Sequence, residues 1–318
     1  NSILELVEGE EIWHPCLWEK NANPDVSFDK EFNQDSAGIY YTSDIPYYGL
    51  ELRMKMERFW KNLEQITAVV LGSSRAMFGI YENGILSETL VNMAFSSGDI
   101  YGMCYLANNY VLNLLPNLKY LIIELSIDFM WVSWNSSWGP IYEGVPGYKY
   151  DENHNFWKDS VNEKFVSLVE NSPKPVSLLK DLYGTDDFQL KTKGWGDVQI
   201  YRDSTLYTTE DPIFQNNKKA YTDIISLANN MGVQVIVFIP PVHPGYAKTG
   251  VYSLYGVKRS IAKSIIDEFK ELNVILFDEN KMGLHDYNND MAYNVDHLSE
   301  KGSAVLTERL DSLLKSIK

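Results

Sequence analysis

Two short segments carry residue types that can together perform acyl chemistry. Gly72-Ser73-Ser74-Arg75 sets two hydroxyls directly after a glycine, and Asn294-Val295-Asp296-His297-Leu298-Ser299-Glu300-Lys301-Gly302 sets a histidine beside a carboxylate and close to an amide. A serine hydroxyl is a poor nucleophile at neutral pH, so it needs a base, and the base needs a carboxylate or amide to fix its tautomer. Taken singly, each segment has a plainer explanation: Ser73 or Ser74 caps a helix, and His297 is a solvated loop histidine. Taken jointly they supply a nucleophile (Ser74), a general base (His297) and an orienting group (Asp296 or Asn294). Arg75 either binds a substrate carboxylate or pairs with an acidic neighbour. His243, in Pro240-Pro241-Val242-His243-Pro244, either lines the same pocket or sits in a solvated proline turn. His14, His154 and His285 lack the spacing of metal ligands, so no metal and no other cofactor is expected.

These residues need a frame, and the surrounding sequence reads as one. Ile66-Thr-Ala-Val-Val-Leu71 is an apolar, β-branched run stopped by Gly72, the form of a buried parallel strand ending in a tight turn. Ser74 then lies at the carboxyl edge of that strand, the edge where open α/β sheets bind ligands, and a helical segment over Ala76–Ile80 follows. A second short strand is expected within Asn83–Phe95, a helix over Tyr101–Leu115, and further strands over Tyr120–Leu125, Val233–Ile239 and Val274–Phe277. Helices are expected over Ile213–Met231, Tyr255–Leu272 and Ser299–Ile317, so strand and helix alternate and the sheet is expected to be mostly parallel. Ser299 reads as an N-cap, which puts His297 on the loop entering the last helix, free to face the sheet edge.

Residues 1–48 read as an irregular arm, followed by a helix from about Gly49 to Leu63. Residues from about 129 to 212 read as an insertion, partly helical near Asp159–Val169 and Val176–Tyr183. The insertion holds Trp131, Trp134, Trp138, Tyr142, Tyr148, Tyr150 and Trp157. Such rings either stack on sugars or bury enough area to hold an irregular segment together.

Composition narrows the partners. The 318 residues include 43 acidic and 28 basic side chains, a formal charge of -15, which repels phosphate backbones and anionic lipid surfaces. Nucleic acid is therefore not expected as a partner. Two cysteines, Cys16 and Cys104, exclude a disulfide-dense scaffold and a zinc site built on cysteine pairs, while leaving one disulfide open. No apolar run approaches the roughly 20 residues of a membrane helix.

The order of the two segments, serine after the first core strand and histidine before the last helix, resembles the SGNH (GDSL-type) hydrolases. Gly72-Ser73-Ser74 is similar to that family's Gly-Asp-Ser block with Ser in place of Asp, and His297-Leu298-x-x-x-Gly302 is similar to its C-terminal histidine block. The resemblance implies a single three-layer α/β/α domain spanning residues 1–318. It also implies an oxyanion hole formed by the N–H groups of Ser74 and Gly98, the glycine of Asn92-Met-Ala-Phe-Ser-Ser-Gly98. Two positions depart from the family. Asn294 stands three residues before His297, where the family has Asp, and Leu125-Ser126-Ile127-Asp128 lacks the third block's Asn, for which Ser126 is the substitute at hand. In these respects the chain resembles the branch that includes extracytoplasmic proteins modifying cell-surface polymers.

That resemblance implies an esterase hydrolysing an acyl ester, foremost acetyl, on a carbohydrate, with a small acyl ester or an acylated glycan as substrate. The alternatives are an acyltransferase acting on a cell-surface polysaccharide and a catalytically degenerate glycan-binding or assembly protein. With Asn1 in place of a Met, the branch also implies a periplasmic, secreted or surface-anchored protein after removal of an N-terminal signal. Oligomeric state stays open.

Overall fold

A computed structural model describes residues 52, 55, 56, 59, 62–96, 98–133 and 190–317. The chain divides into two units, Asn1–Asn62 with Asn135–Phe188 and Leu63–Trp134 with Gln189–Lys318, and the second holds nearly all the described residues. The arm over 1–48 and the helices expected within the insertion lie outside them. The helix expected over Gly49–Leu63 is described at Leu52, Lys55, Met56 and Phe59, all helical.

In the second unit the apolar runs form five parallel strands: β1 (Ala68–Leu71), β2 (Leu90–Asn92), β3 (Tyr120–Glu124), β4 (Gln234–Ile239) and β5 (Ile275–Asp278), in the order β2-β1-β3-β4-β5. Every residue of β1 and β3 is buried, as strands covered on both faces require, and their β-branched side chains fill the two interlayer spaces. The register pairs Ala68 with Tyr120 and Leu71 with Ile123, so β1 and β3 end side by side, Glu124 just beyond Leu71.

Among the described residues, five helices cover the sheet: α1 (Ser74–Gly79), α2 (Ile100–Leu106), α3 (Pro212–Asn230), α4 (Arg259–Lys270) and α5 (Glu300–Ser316). A π turn over Ala107–Val111 carries α2 on to Leu112–Leu114. Helix α1 packs on α5, while α2 packs on α3, and Tyr221 of α3 meets Phe269 of α4 edge to face at 5.7 Å. Right-handed crossovers put the first pair on one face and the other three on the opposite face, which gives the expected α/β/α layers. Between β1 and β3 the chain changes its direction of travel across the sheet. That is the switch point where a crevice opens at the carboxyl ends of the strands.

Local signals set most boundaries. Asp211 caps α3 by accepting from the Ile213 N–H at 2.7 Å, Pro212 occupies the first turn, and Gly232 with φ +79° closes the far end. Helix α4 starts later than its apolar spacing predicts. Val251 bridges to Lys258, and Gly256 turns between them at φ +86°, a conformation that ends any helix. One further element was not expected: an antiparallel pair, β6 (Ala292–Asn294) and β7 (His297–Leu298), directly before α5. No helix among the described residues is long and apolar enough to cross a membrane.

Candidate active site

The nucleophile turn follows from how β1 meets α1. Gly72 has no room for a side chain: a Cβ would lie 2.6 Å from the Ala76 Cβ and 2.7 Å from Glu124 Oε2. The chain turns there, and Ser73 becomes the N-cap of α1, its hydroxyl accepting from the Arg75 N–H at 3.3 Å. Ser74 is then the first helical residue, a position whose N–H has no acceptor within the helix. Its side chain is partly exposed, and its Oγ lies 2.8 Å from His297 Nε2.

The base comes from the β6–β7 pair. Asn294 Oδ1 accepts from the backbone N–H groups of Asp296 at 3.1 Å and His297 at 2.9 Å, an Asx turn that aims the His297 ring back at α1. The ring's Nδ1 lies 2.8 Å from Asp296 Oδ1 and 3.0 Å from Asn294 Oδ1, and Phe78 of α1 meets the ring edge to face at 5.8 Å. Both groups the sequence offered as orienters therefore reach it. They differ in charge and in prior engagement, since Asn294 already serves two backbone donors whereas Asp296 brings a carboxylate. Burial works against that carboxylate's charge, yet His297 and Arg75 hold its pKa well below the usual carboxylate range. With Asp296 ionised, the ring proton stays on Nδ1, and Nε2 is left to accept from the Ser74 hydroxyl.

Arg75 is buried and does not face the crevice. Its Nη2 lies 2.7 Å from Asp128 Oδ2, and its Nε lies 3.5 Å from Asp296 Oδ2. Burial opposes the cation, and Asp128, Asp296 and Glu124 together raise its pKa. Asp128 is in turn hydrogen-bonded by the Ser253 hydroxyl. Of the two roles the sequence allowed for Arg75, the geometry carries the ion pair.

Other expected residues are placed differently. Gly98 does back onto the nucleophile turn, so closely that a Cβ would lie 2.4 Å from the Gly72 carbonyl oxygen, but its N–H donates to Phe95 at 2.9 Å. Ser126 is fully buried; its hydroxyl donates to Glu124 at 2.9 Å and its N–H to Tyr221 Oη at 3.2 Å. The Gly98 N–H and the Ser126 hydroxyl are thus both engaged within the protein, and neither stands free beside Ser74 in the oxyanion-hole role the resemblance implied for it. His243 caps the turn after β4, with Nδ1 accepting from the Gly245 N–H at 2.8 Å and Nε2 on the Gly196 carbonyl at 3.0 Å. Its backbone N–H reaches the Val295 carbonyl at 2.8 Å, so it braces the base segment and has no ring nitrogen to spare for a substrate. Cys104 is a free thiol that burial pushes up to about 12, while Cys16 lies outside the described residues.

The residues missed by sequence reasoning are Glu124, Asp128 and Ser253. A signal for the first was present: Glu124 is the one charged residue in the run Tyr120–Leu125, and a charge at the end of a buried strand needs a reason. Asp128 and Ser253 are 125 positions apart, and nothing local marks them as partners.

No protein-family model matches the chain, and no curated protein matches its sequence. Among solved structures, it is similar to a candidate acylhydrolase from Bacteroides fragilis at 9% identity and TM-score 0.40, covering 82% of this chain and 95% of that one. A Streptococcus pneumoniae protein named for platelet activating factor matches at 13% identity and TM-score 0.42, covering 84% and 92%. A Bacillus subtilis protein matches at 14% identity and TM-score 0.34, covering 80% of this chain and 56% of that one. All three are distant likenesses.

Proposed function

We propose that this chain is an SGNH-like serine esterase that hydrolyses an acyl ester, foremost an acetyl ester on a carbohydrate. The observation that carries the reading is the continuous line from Ser74 Oγ to His297 Nε2, 2.8 Å, and from His297 Nδ1 to Asp296, 2.8 Å. His297 Nε2 takes the hydroxyl proton as Ser74 Oγ attacks the acyl carbon. The Ser74 N–H, at the first position of α1, is placed to donate to the oxygen that becomes anionic. The imidazolium, held against Asp296, returns its proton to the leaving alcohol, and water activated by the same ring releases the acid. Arg75, the cation next to Ser74 in sequence, is held by two carboxylates, which favours a neutral acyl group over one ending in a carboxylate. By the branch it resembles, the protein acts outside the cytoplasm.

The test is reaction with a fluorophosphonate followed by peptide mapping, beside turnover of a small acetyl ester. A single adduct on Ser74 is expected. Ser74→Ala and His297→Ala should each lower turnover at least about 10³-fold with circular dichroism unchanged. Unchanged rates in both variants remove the reading. If product forms only when an acceptor glycan is supplied, the same serine serves transfer to a polysaccharide instead of hydrolysis.

One observation favours a second reading. The Gly98 N–H and the Ser126 hydroxyl are engaged within the protein, which leaves fewer donors for an oxyanion than a hydrolase of this kind uses. A glycan-binding or assembly protein on this fold would show no adduct on Ser74 together with measurable glycan affinity.

A further inference from the structure

Beneath the nucleophile turn lies a carboxylate with no surface exposure. Glu124, at the end of β3, takes the Ser73 N–H on Oε2 at 2.8 Å, the Ser73 hydroxyl on both oxygens at 2.9 Å, and the Ser126 hydroxyl on Oε1 at 2.9 Å. Its own backbone carbonyl accepts from the Tyr221 hydroxyl at 2.6 Å and from the Ser126 N–H at 3.1 Å. Burying a carboxylate costs several kcal/mol unless donors surround it, so a merely space-filling position would carry an apolar residue. Here the donors converge from one particular place. Two of the three are the N–H and O–H of Ser73, the residue directly before the nucleophile.

The consequence reaches Ser74 through Ser73. The Ser73 hydroxyl donates its hydrogen bond to Glu124, so its lone pair faces the Arg75 N–H at 3.3 Å, and the Ser73 carbonyl accepts from the Met77 N–H at 3.0 Å. The hydroxyl thereby occupies the second N–H of α1, while the Ser74 N–H before it has no acceptor within the helix. Rotation of Ser73 away from Glu124 would turn the Ser74 Oγ off the line to His297 and re-aim the Ser74 N–H.

Resting on the reading of Ser74 as nucleophile, we propose that Glu124 is a positioning residue, acting through Ser73 to fix the Ser74 hydroxyl and N–H in their reactive orientation. A shift of about 1 Å in a reacting group can cost on the order of 10²-fold in rate. Ser73→Ala and Glu124→Ala should each lower kcat, and the rate of fluorophosphonate labelling, by about 10–100-fold while KM changes less than about twofold. The double variant should be no slower than the slower single one, because both changes cut the same link. Glu124→Gln, whose amide oxygen can still accept both Ser73 donors, should recover most of the rate. It also serves with Ser73→Ala if Glu124→Ala does not fold. Unchanged kcat in folded variants, or losses that multiply in the double variant, would overturn the proposal.

Amide hydrogen exchange supplies an arm that does not depend on catalysis. Exchange at Ser73 and Arg75 should rise at least about tenfold in Glu124→Ala, and at Arg75 in Ser73→Ala, while β1 and β3 stay protected. Wild-type protein that neither labels nor turns over would defeat the esterase reading, and this exchange pattern would still show whether Glu124 holds the turn. Unaltered exchange would refute the positioning role whatever the chemistry.

Discussion

Ser74 stands where the interior strand β1 gives way to α1, and its support is the sheet itself, with Gly72 pressed on Glu124 and Ser73 bonded to it. His297 stands on β7, a strand of two residues, and its support is a set of side chains: Asn294 on the backbone, Asp296 on the ring, Arg75 behind Asp296. The nucleophile half thus draws its precision from parallel pairing that recurs along the core. The base half depends on a few named contacts, so single substitutions there should separate chemistry from stability more cleanly. A scaffold of buried strands places a backbone, whereas aiming an imidazole takes polar groups that pair with one another.

The sharpest way to test that contrast is Asp296→Asn. The substitution keeps the volume but allows the amide to meet His297 Nδ1 with an N–H, which favours the wrong tautomer. Turnover of an acetyl ester should fall by about 10³–10⁴-fold with circular dichroism at neutral pH unchanged. A loss below about tenfold would shift the orienting role to Asn294.

Next in size is Asp128→Ala, which acts on the ion pair behind the base. It strips Arg75 of its partner at 2.7 Å and leaves a buried cation with only Asp296 at 3.5 Å. Breaking a buried pair in this way costs about 3–5 kcal/mol, to be read by denaturant unfolding. A change under about 1 kcal/mol would mean that Arg75 relaxes to solvent, and the base half would be less tightly built than its contacts suggest.

The layered fold was legible because it rests on signals of period and punctuation: five apolar runs, Gly72 after the first, Asp211-Pro212 before α3, Gly232 after it. The Ser74 and His297 pairing was legible because each segment has a local character and the chain order places both at one sheet edge. What escaped was relational. The carboxylates Glu124 and Asp128 gain their meaning from Ser73, Arg75 and Ser253, and their separations of 51, 53 and 125 positions carry no period. The N–H of Gly98 escaped for a related reason. A glycine signals a close approach of backbone, here to Gly72, but does not tell which way its N–H points. Even β6 and β7 were hidden, since Asn294-Val295-Asp296 reads as loop and its pairing is a bulged hairpin only a few residues long.

A smaller effect is expected at Asn294. Its amide oxygen organises the turn by two backbone hydrogen bonds at 3.1 and 2.9 Å, each worth about 0.5–1.5 kcal/mol, while Asp296 keeps the ring proton in place. Asn294→Ala should therefore lower kcat by about tenfold or less and cost about 1–2 kcal/mol of stability. Asn294→Asp, which keeps the acceptor, should restore the stability. A rate loss in Asn294→Ala matching that of Asp296→Asn would make the two groups a single unit.

The smallest effect is in the acid limb of stability. The folded Asp296 carboxyl titrates below its ordinary 3.8, because His297 and Arg75 outweigh the burial that opposes its charge. Asp311 on α5 behaves alike: burial opposes its charge, but Lys315 and the N–H groups of Ser87 and Leu86 bring it to about 2. For a carboxyl depressed by folding, the native state favours the ionised form. Its contribution is fully present above 3.8 and is lost as the pH falls through the folded value. Melting temperatures taken from neutral pH down to about pH 2 should therefore fall less steeply in Asp296→Asn and in Asp311→Asn than in the wild type. The two substitutions should act independently, since one removes a carboxylate that aims the base and the other a clamp between α5 and the 86–87 loop. At pH 5 the Asp296 carboxylate is still ionised, so Asp311→Asn should leave the pH profile of turnover unmoved. A profile that moved with Asp311 would mean that α5, packed on α1, transmits strain to the Ser74 turn.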